Sequence, residues 1–227
     1  MIVLPVIAAL ISLTFGVQLL VRSGRRRAWH EAAWGVAMLM FAVATGALIL
    51  GVADGWSSAE FRWYWLFGAV LTVPYLALGE LYLLLRPRWV SHVLLVGVLA
   101  ATAVAAAIVR TAPVSEALTN DFPLGREVFG DGSTAHRLSQ YYAYPAYVIL
   151  VGGAIWSAFR IRGRPELRDR FMGTLLIAVG ATIVFVGSGL GAGFGNFAVF
   201  SIGHAVGIGV MYWGFLTTTP RARTRTG

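Results

Sequence analysis

The chain is predicted to be an all-α membrane protein with seven transmembrane helices, its amino end outside and its carboxyl end in the cytoplasm. Three observations predict this. Lysine is absent, so all 18 basic residues are arginine, and most of them cluster. The clusters are Arg22 with Arg25, Arg26 and Arg27; Arg86 with Arg88; Arg160, Arg162, Arg164, Arg168 and Arg170; and Arg221, Arg223 and Arg225. Between clusters lie apolar runs long enough to cross, once or twice, a hydrocarbon core that needs about 20 helical residues per pass. Finally, 58% of residues are hydrophobic and only 12% charged, whereas about a quarter are charged in soluble domains.

The elements follow in order. Helix 1 is predicted over 2–21 and ends at the first arginine cluster. Its start, MIVLPVIAALISLTFGVQLLV, lacks the positive flank and cleavage site of a secretory signal, so it is expected to stay as a span. Helix 2 runs over 29–52 and opens into DGWSSAEFR. Helix 3 covers 63–85 and stops at Arg86-Pro87-Arg88, and helix 4 covers the alanine- and valine-rich 90–109. The connection 110–136 is too polar to span and is longer than the usual 2–8 residues between packed helices. Pro113, Pro123, Gly130 and Gly132 punctuate it, while Phe122, Leu124, Val128 and Phe129 could close it over the bundle as a lid. Helix 5 is predicted over 137–159, helix 6 over 171–190 and helix 7 over 197–217. The glycine run Gly187, Gly189, Gly191, Gly193 and Gly195 is read as the turn between the last two. Together these form a single domain over 1–227.

Orientation follows from positive charge favouring the cytoplasmic side. The clustered arginines are expected there, against Arg62, Arg110, Arg126 and Arg137 outside. The acidic residues agree: Asp54, Glu60, Glu116, Asp121, Glu127 and Asp131 fall outside, and Glu31, Glu166 and Asp169 inside. A net charge of +8 could suggest nucleic acid, but the arginines adjoin apolar spans. There they would meet anionic lipid headgroups, worth about 1 kcal/mol each, and no free basic platform exists to read nucleic acid.

Few residues can carry chemistry. Cysteine is absent, which removes thiolate nucleophiles and cysteine metal sites. Glu80 lies inside helix 3, about six residues or ~9 Å from its cytoplasmic end. A charge near mid-membrane costs about 2.5–3.5 kcal/mol, so this group must face the bundle interior, be protonated or pair. Thr72 and Leu76 share its face, and Gln18, Trp34, Thr174 and Tyr212 are expected at its depth. The choice lies between a proton-linked or ligand-binding carboxylate and a structural anchor. His204 sits on helix 7, roughly 15 Å in depth from Glu80. At its level are the tyrosines of QYYAYPAY (Tyr141, Tyr142, Tyr144 and Tyr147), with Ser188 and Asn196 nearby. These could bind a small polar headgroup or a quinone-like ring, or serve as an interfacial aromatic belt. His30, His92, His136 and His204 do not share metal-ligand spacing, and His136 is the one partner that could face His204 across a haem. No cofactor or metal is predicted. Pro74 and Pro145 are expected to kink their spans. Gly203 and Gly207 form a small-xxx-small face suited to close helix packing.

Seven helices with an external amino end resemble the rhodopsin-type topology, but microbial rhodopsins hold retinal on a lysine and this chain has none. Trp34-Gly35 and the segment Trp63 to Leu85, WYWLFGAVLTVPYLALGELYLLL, resemble the seven-helix sensor regions that precede bacterial histidine kinases. The likeness covers helices 1 to 4, and no kinase half follows. The whole chain also resembles uncharacterised seven-helix integral membrane proteins of high-GC bacteria, which implies a bacterial inner membrane. The expected function is therefore non-catalytic: a sensor or accessory subunit that binds a small lipophilic or headgroup-like ligand within the bundle. It would act with a protein partner or as a homo-oligomer. The alternatives are a small proton-coupled transporter working through Glu80 and a purely structural subunit of a membrane complex.

Overall fold

The computed structural model describes residues 2–115, 118, 122–162 and 168–218. Glu116, Asp121, Arg164, Glu166 and the arginines at 221, 223 and 225, all used above to orient the chain, lie outside these residues. Seven helical spans are long and apolar enough to cross a membrane, and the described secondary structure is all helical.

Helix α1 (Val3–Arg26) buries Pro5, Ala8, Ser12, Phe15 and Leu19. This spacing of three and four puts one stripe on the bundle, while Val6, Leu10, Leu13, Val17 and Val21 stay on the outer face. Arg27 ends the helix in the left-handed conformation (φ 51°), with its N–H bonded to Ser23 O. Helix α2 (Trp29–Asp54) returns alongside α1, and Gly16 and Gly35 allow the two to touch. A methyl group on Gly16 would lie 3.1 Å from Gly35 O.

The third span begins before the predicted residue 63. Ser57 and Glu60 form a capping box: Ser57 N donates to Glu60 Oε2 at 2.8 Å, and Glu60 N donates to Ser57 Oγ at 3.2 Å. The pair satisfies two free amides and starts α3 (Ser58–Trp63). A π-helical stretch follows (Tyr64–Leu71), then α4 (Thr72–Leu84). Pro74 lies three residues beyond the end of the π stretch, and the helix continues through it to Leu84. Helix α5 (Arg88–Thr111) starts after Pro87 and buries only Ser91, Ala105 and Val109. It packs on α4, the π stretch and the span that follows the lid.

Within the connection 112–133, the one-turn helix α6 (Gly125–Val128) packs inward. Val128 and Phe129 are buried in a cluster with Phe61, Trp65 and Val109, and Leu124 is buried beside them in sequence. Arg62 fastens the start of this connection by donating to the carbonyls of Val109 and Ala112. Helix α7 (Thr134–Ile161) begins with Ser133 Oγ accepting from His136 N and runs unbroken through Pro145.

The glycine run does not form the last turn. Helix α8 (Arg168–Phe194) continues through Gly187, Gly189, Gly191 and Gly193, and Gly195 alone of the run takes a left-handed φ, 62°, before α9 (Phe197–Thr218). Gly187 of the run is a contact point, as are Gly180 and Gly214 elsewhere on the two helices. A methyl on Gly187 would lie 2.7 Å from Gly203 Cα, one on Gly180 2.6 Å from Gly207 O, and one on Gly214 2.7 Å from Gly173 O. Backbone therefore meets backbone along α8 and α9.

Helices α1, α2, α4, α7, α8 and α9 close a ring in that order, with α9 returning to α1 and α5 outside. One end of the ring carries the described clustered arginines. There Arg22 Nη2 pairs with Glu31 Oε1 at 2.6 Å, and Arg22 also stacks 4.7 Å above the Phe215 ring. The other end carries the capping box, α6 and the α8–α9 turn, and is called the loop end below.

Candidate functional site: a cavity at the loop end of the bundle

The ring encloses a cavity of about 610 Å³, within the 300–1,000 Å³ typical of small-molecule sites. Its floor is apolar and comes from Met38, Leu76, Leu150, Ile208 and Met211. The π stretch supplies one wall through Tyr64, Trp65, Gly68 and Ala69. Short π segments recur at functional sites because the extra residue per turn re-aims neighbouring side chains. Leu124 and Gly125 close the top. Gly125 sits so tightly on the Trp65 indole that a side chain there would collide with the ring, and Trp65 Nε1 donates to Ala135 O at 2.9 Å. The connection is thus a fitted cover at this point.

His204 reaches the lining from α9. Its ring lies between Phe41, at 5.2 Å, and Phe200, at 4.0 Å, both in stacked geometry. Nδ1 is 2.9 Å from Phe200 O. A carbonyl can only accept, so Nδ1 carries the proton of the neutral ring and Nε2 is left as a lone-pair acceptor. The lining also includes Ser188 on α8, Thr72 on α4 and Tyr144 and Tyr147 on α7. Tyr147 stacks on Phe185 at 4.0 Å.

The mouth is lateral. Among lining residues, those left exposed include Gln140 and Tyr144 on α7, Gly189 and Gly193 on α8, Arg126 on α6 and Asp131 just after it. A methyl on Gly189 or Gly193 would meet no atom within 4 Å. The wall between α7 and α8 is therefore open near the loop end.

Thus His204, Ser188, Tyr144 and Thr72 converge, and the other expected site residues do not join them. Tyr141 points away from the bundle, 67% exposed. Tyr142 donates to Ala101 O at 3.0 Å and ties α7 to α5. Asn196 caps α9, its Oδ1 accepting from Val199 N at 3.1 Å. Gln18 and Tyr212 bond to each other at 3.2 Å rather than to Glu80, and Trp34 donates to Leu76 O at 2.9 Å. Thr174 lies in the first half of α8. Glu80 is buried at 4% exposure against Gly153 of α7, and its Oε1 has no hydrogen-bond partner among the described residues. It is not part of the cavity lining.

Of the histidines, His136 also lines the cavity, stacked 5.9 Å from Trp65. His92 Nδ1 bonds Tyr82 Oη at 3.0 Å near the arginine-bearing end. No group of three histidine or acidic side chains converges as a metal site among the described residues. Sequence patterning had no means of selecting Phe41 and the π-stretch residues: apolar side chains and local helical pitch carry no polar signature.

Comparison with protein-family models, with curated proteins and with solved structures gives no match. What the chain itself establishes is an all-helical architecture with seven candidate membrane spans around a covered, laterally open cavity.

Proposed function

We propose that this chain is a non-catalytic integral membrane protein, a sensor or accessory subunit, that binds a small lipophilic or headgroup-like molecule inside its helix bundle. The observation that carries the proposal is the cavity: large, mainly apolar, roofed by the lid and furnished with the few polar groups that orient a ligand. Such a chain would sit in a bacterial inner membrane with the arginine-bearing end in the cytoplasm, following the positive-inside tendency. Its arginines would engage anionic headgroups there, and a protein partner or second copy would receive the signal.

The test is native mass spectrometry of protein purified from its membranes, beside Ala181→Phe, which fills the cavity from α8. The wild type is expected to carry, or to take up from a membrane lipid extract, one small molecule that the folded variant does not bind. Failure of the wild type to bind anything from that extract, or equal binding by the folded variant, overturns the proposal.

A second reading, a small proton-coupled transporter, draws on the buried, unpartnered Oε1 of Glu80. Under the binding proposal Glu80→Gln keeps the ligand, whereas under the transport reading it abolishes proton-linked uptake in proteoliposomes. A purely structural subunit would show neither effect.

A further inference from the structure

The hydrogen-bonding groups around the cavity are lopsided. Thr45 gives its hydroxyl proton to Phe41 O at 2.8 Å, Thr72 to Phe67 O at 2.6 Å and Ser188 to Val184 O at 2.7 Å. Tyr147 donates to Thr182 Oγ1 at 3.0 Å, and His204 Nδ1 faces Phe200 O. Each of these lining groups has its proton committed to the protein and retains only lone pairs for a ligand. Tyr64 and His136 are the inner exceptions: among the described residues the Tyr64 hydroxyl has no hydrogen-bond partner and His136 Nδ1 is buried without one, so each ring can offer a ligand a proton or a lone pair. The charged lining residues, Arg126 and Asp131, stand exposed at the mouth. The buried carboxylates, Glu31 and Glu80, are both outside the lining.

We propose, resting on the binding function above, that the cavity selects a lipophilic molecule bearing a neutral hydroxyl group, an alcohol or phenol. It enters between α7 and α8 and donates its proton to Nε2 of His204. Only a donor relieves an acceptor-rich wall. An ether or ketone would set lone pairs against those of Thr45, Thr72, Ser188, Tyr147 and His204 and depend on Tyr64 and His136 for a donor. Beyond the mouth, where Arg126 and Asp131 stand, an ammonium would leave water without meeting a carboxylate, and a carboxylate without meeting a cation, both of which are costly in an apolar interior. A hydroxyl needs no counter-charge. The entry route follows from Gly189 and Gly193, which leave the α7–α8 wall without side chains where Tyr144 and Gln140 border it.

The experiment measures binding of 1-hexadecanol, hexadecyl methyl ether and hexadecylamine to the full chain in lipid nanodiscs, for wild type, His204→Phe and Tyr64→Phe. The alcohol is expected to bind about tenfold tighter than the ether, the value of one hydrogen bond in a dry site. His204→Phe brings the alcohol down to the level of the ether and leaves ether binding unchanged. Tyr64→Phe weakens the ether and spares the alcohol, so it tests the same idea even if His204→Phe does not fold. Equal binding of alcohol and ether, preference for the amine, or undiminished selectivity in His204→Phe overturns the hydroxyl inference and leaves the binding function standing. A Soret band in the purified protein also overturns it, because Nε2 would then be holding iron. Binding of none of the three probes, together with an empty wild type in the mass-spectrometric test, overturns both.

Discussion

Gly153 makes room for Glu80. A methyl on this glycine would lie 2.6 Å from Glu80 Cγ and 2.8 Å from Leu84 Cδ1, so the carboxylic side chain fills the notch that α7 leaves for α4. Gly153→Ala is therefore expected to destabilise the protein by about 1–3 kcal/mol, the usual cost of overpacking. In a Glu80→Ala background the same change should cost much less. Thermal unfolding of the four proteins in one detergent measures the coupling, and an equal cost in both backgrounds would remove Gly153 as the reason Glu80 sits where it does. From its charge alone Glu80 was expected to face the interior, be protonated or pair, because lipid rejects a charge, and the structure turns it inward. Its neighbour was not legible, because a glycine carries no sign of which side chain will occupy the space above it. His204 follows the same pattern. Its depth could be counted along the helix, but the stacking on Phe41 and the direction of its free nitrogen depend on α2 and on the rotation of α9.

Among the elements, the α8–α9 seam has the clearest sequence pattern. Gly173, Gly180 and Gly187 recur every seven residues on α8, and Gly207 and Gly214 do so on α9. Repeats of seven keep one face toward a neighbour, and small residues let the backbones approach in the absence of a hydrophobic drive. Gly203→Leu should disrupt this seam, since even a methyl there would lie 2.7 Å from Gly187 Cα. The expected loss is about 3 kcal/mol or more. Gly209→Ala is its control: a methyl at that position meets nothing within 4 Å, so helix propensity should make the change neutral or stabilising by up to about 1 kcal/mol. Melting temperatures of the two variants test the contrast. Comparable destabilisation by both would show that the glycines matter for flexibility and not for contact. The early start of the third span was also open to local reasoning through Ser57 and Glu60. The π stretch was not, because its pitch answers to packing.

For the whole molecule, an odd number of passes puts the two ends on opposite sides of the membrane. Tags at the amino and carboxyl termini should be accessible from opposite faces of sealed vesicles, with the carboxyl tag on the arginine-bearing side. Accessibility from one side would require an even number of passes. The sequence by itself determined the number of candidate spans, their approximate limits and the end of the bundle to which the described clustered arginines belong. These are local properties: hydropathy is summed along a segment, and a guanidinium group avoids hydrocarbon whatever its neighbours are. The tertiary structure alone decided that Ser188, Thr72, Tyr144 and His204 share one cavity while Tyr141 and Asn196 do not. Which side chains converge depends on how each helix is rotated about its axis, and that rotation is set by contacts between helices distant in the chain.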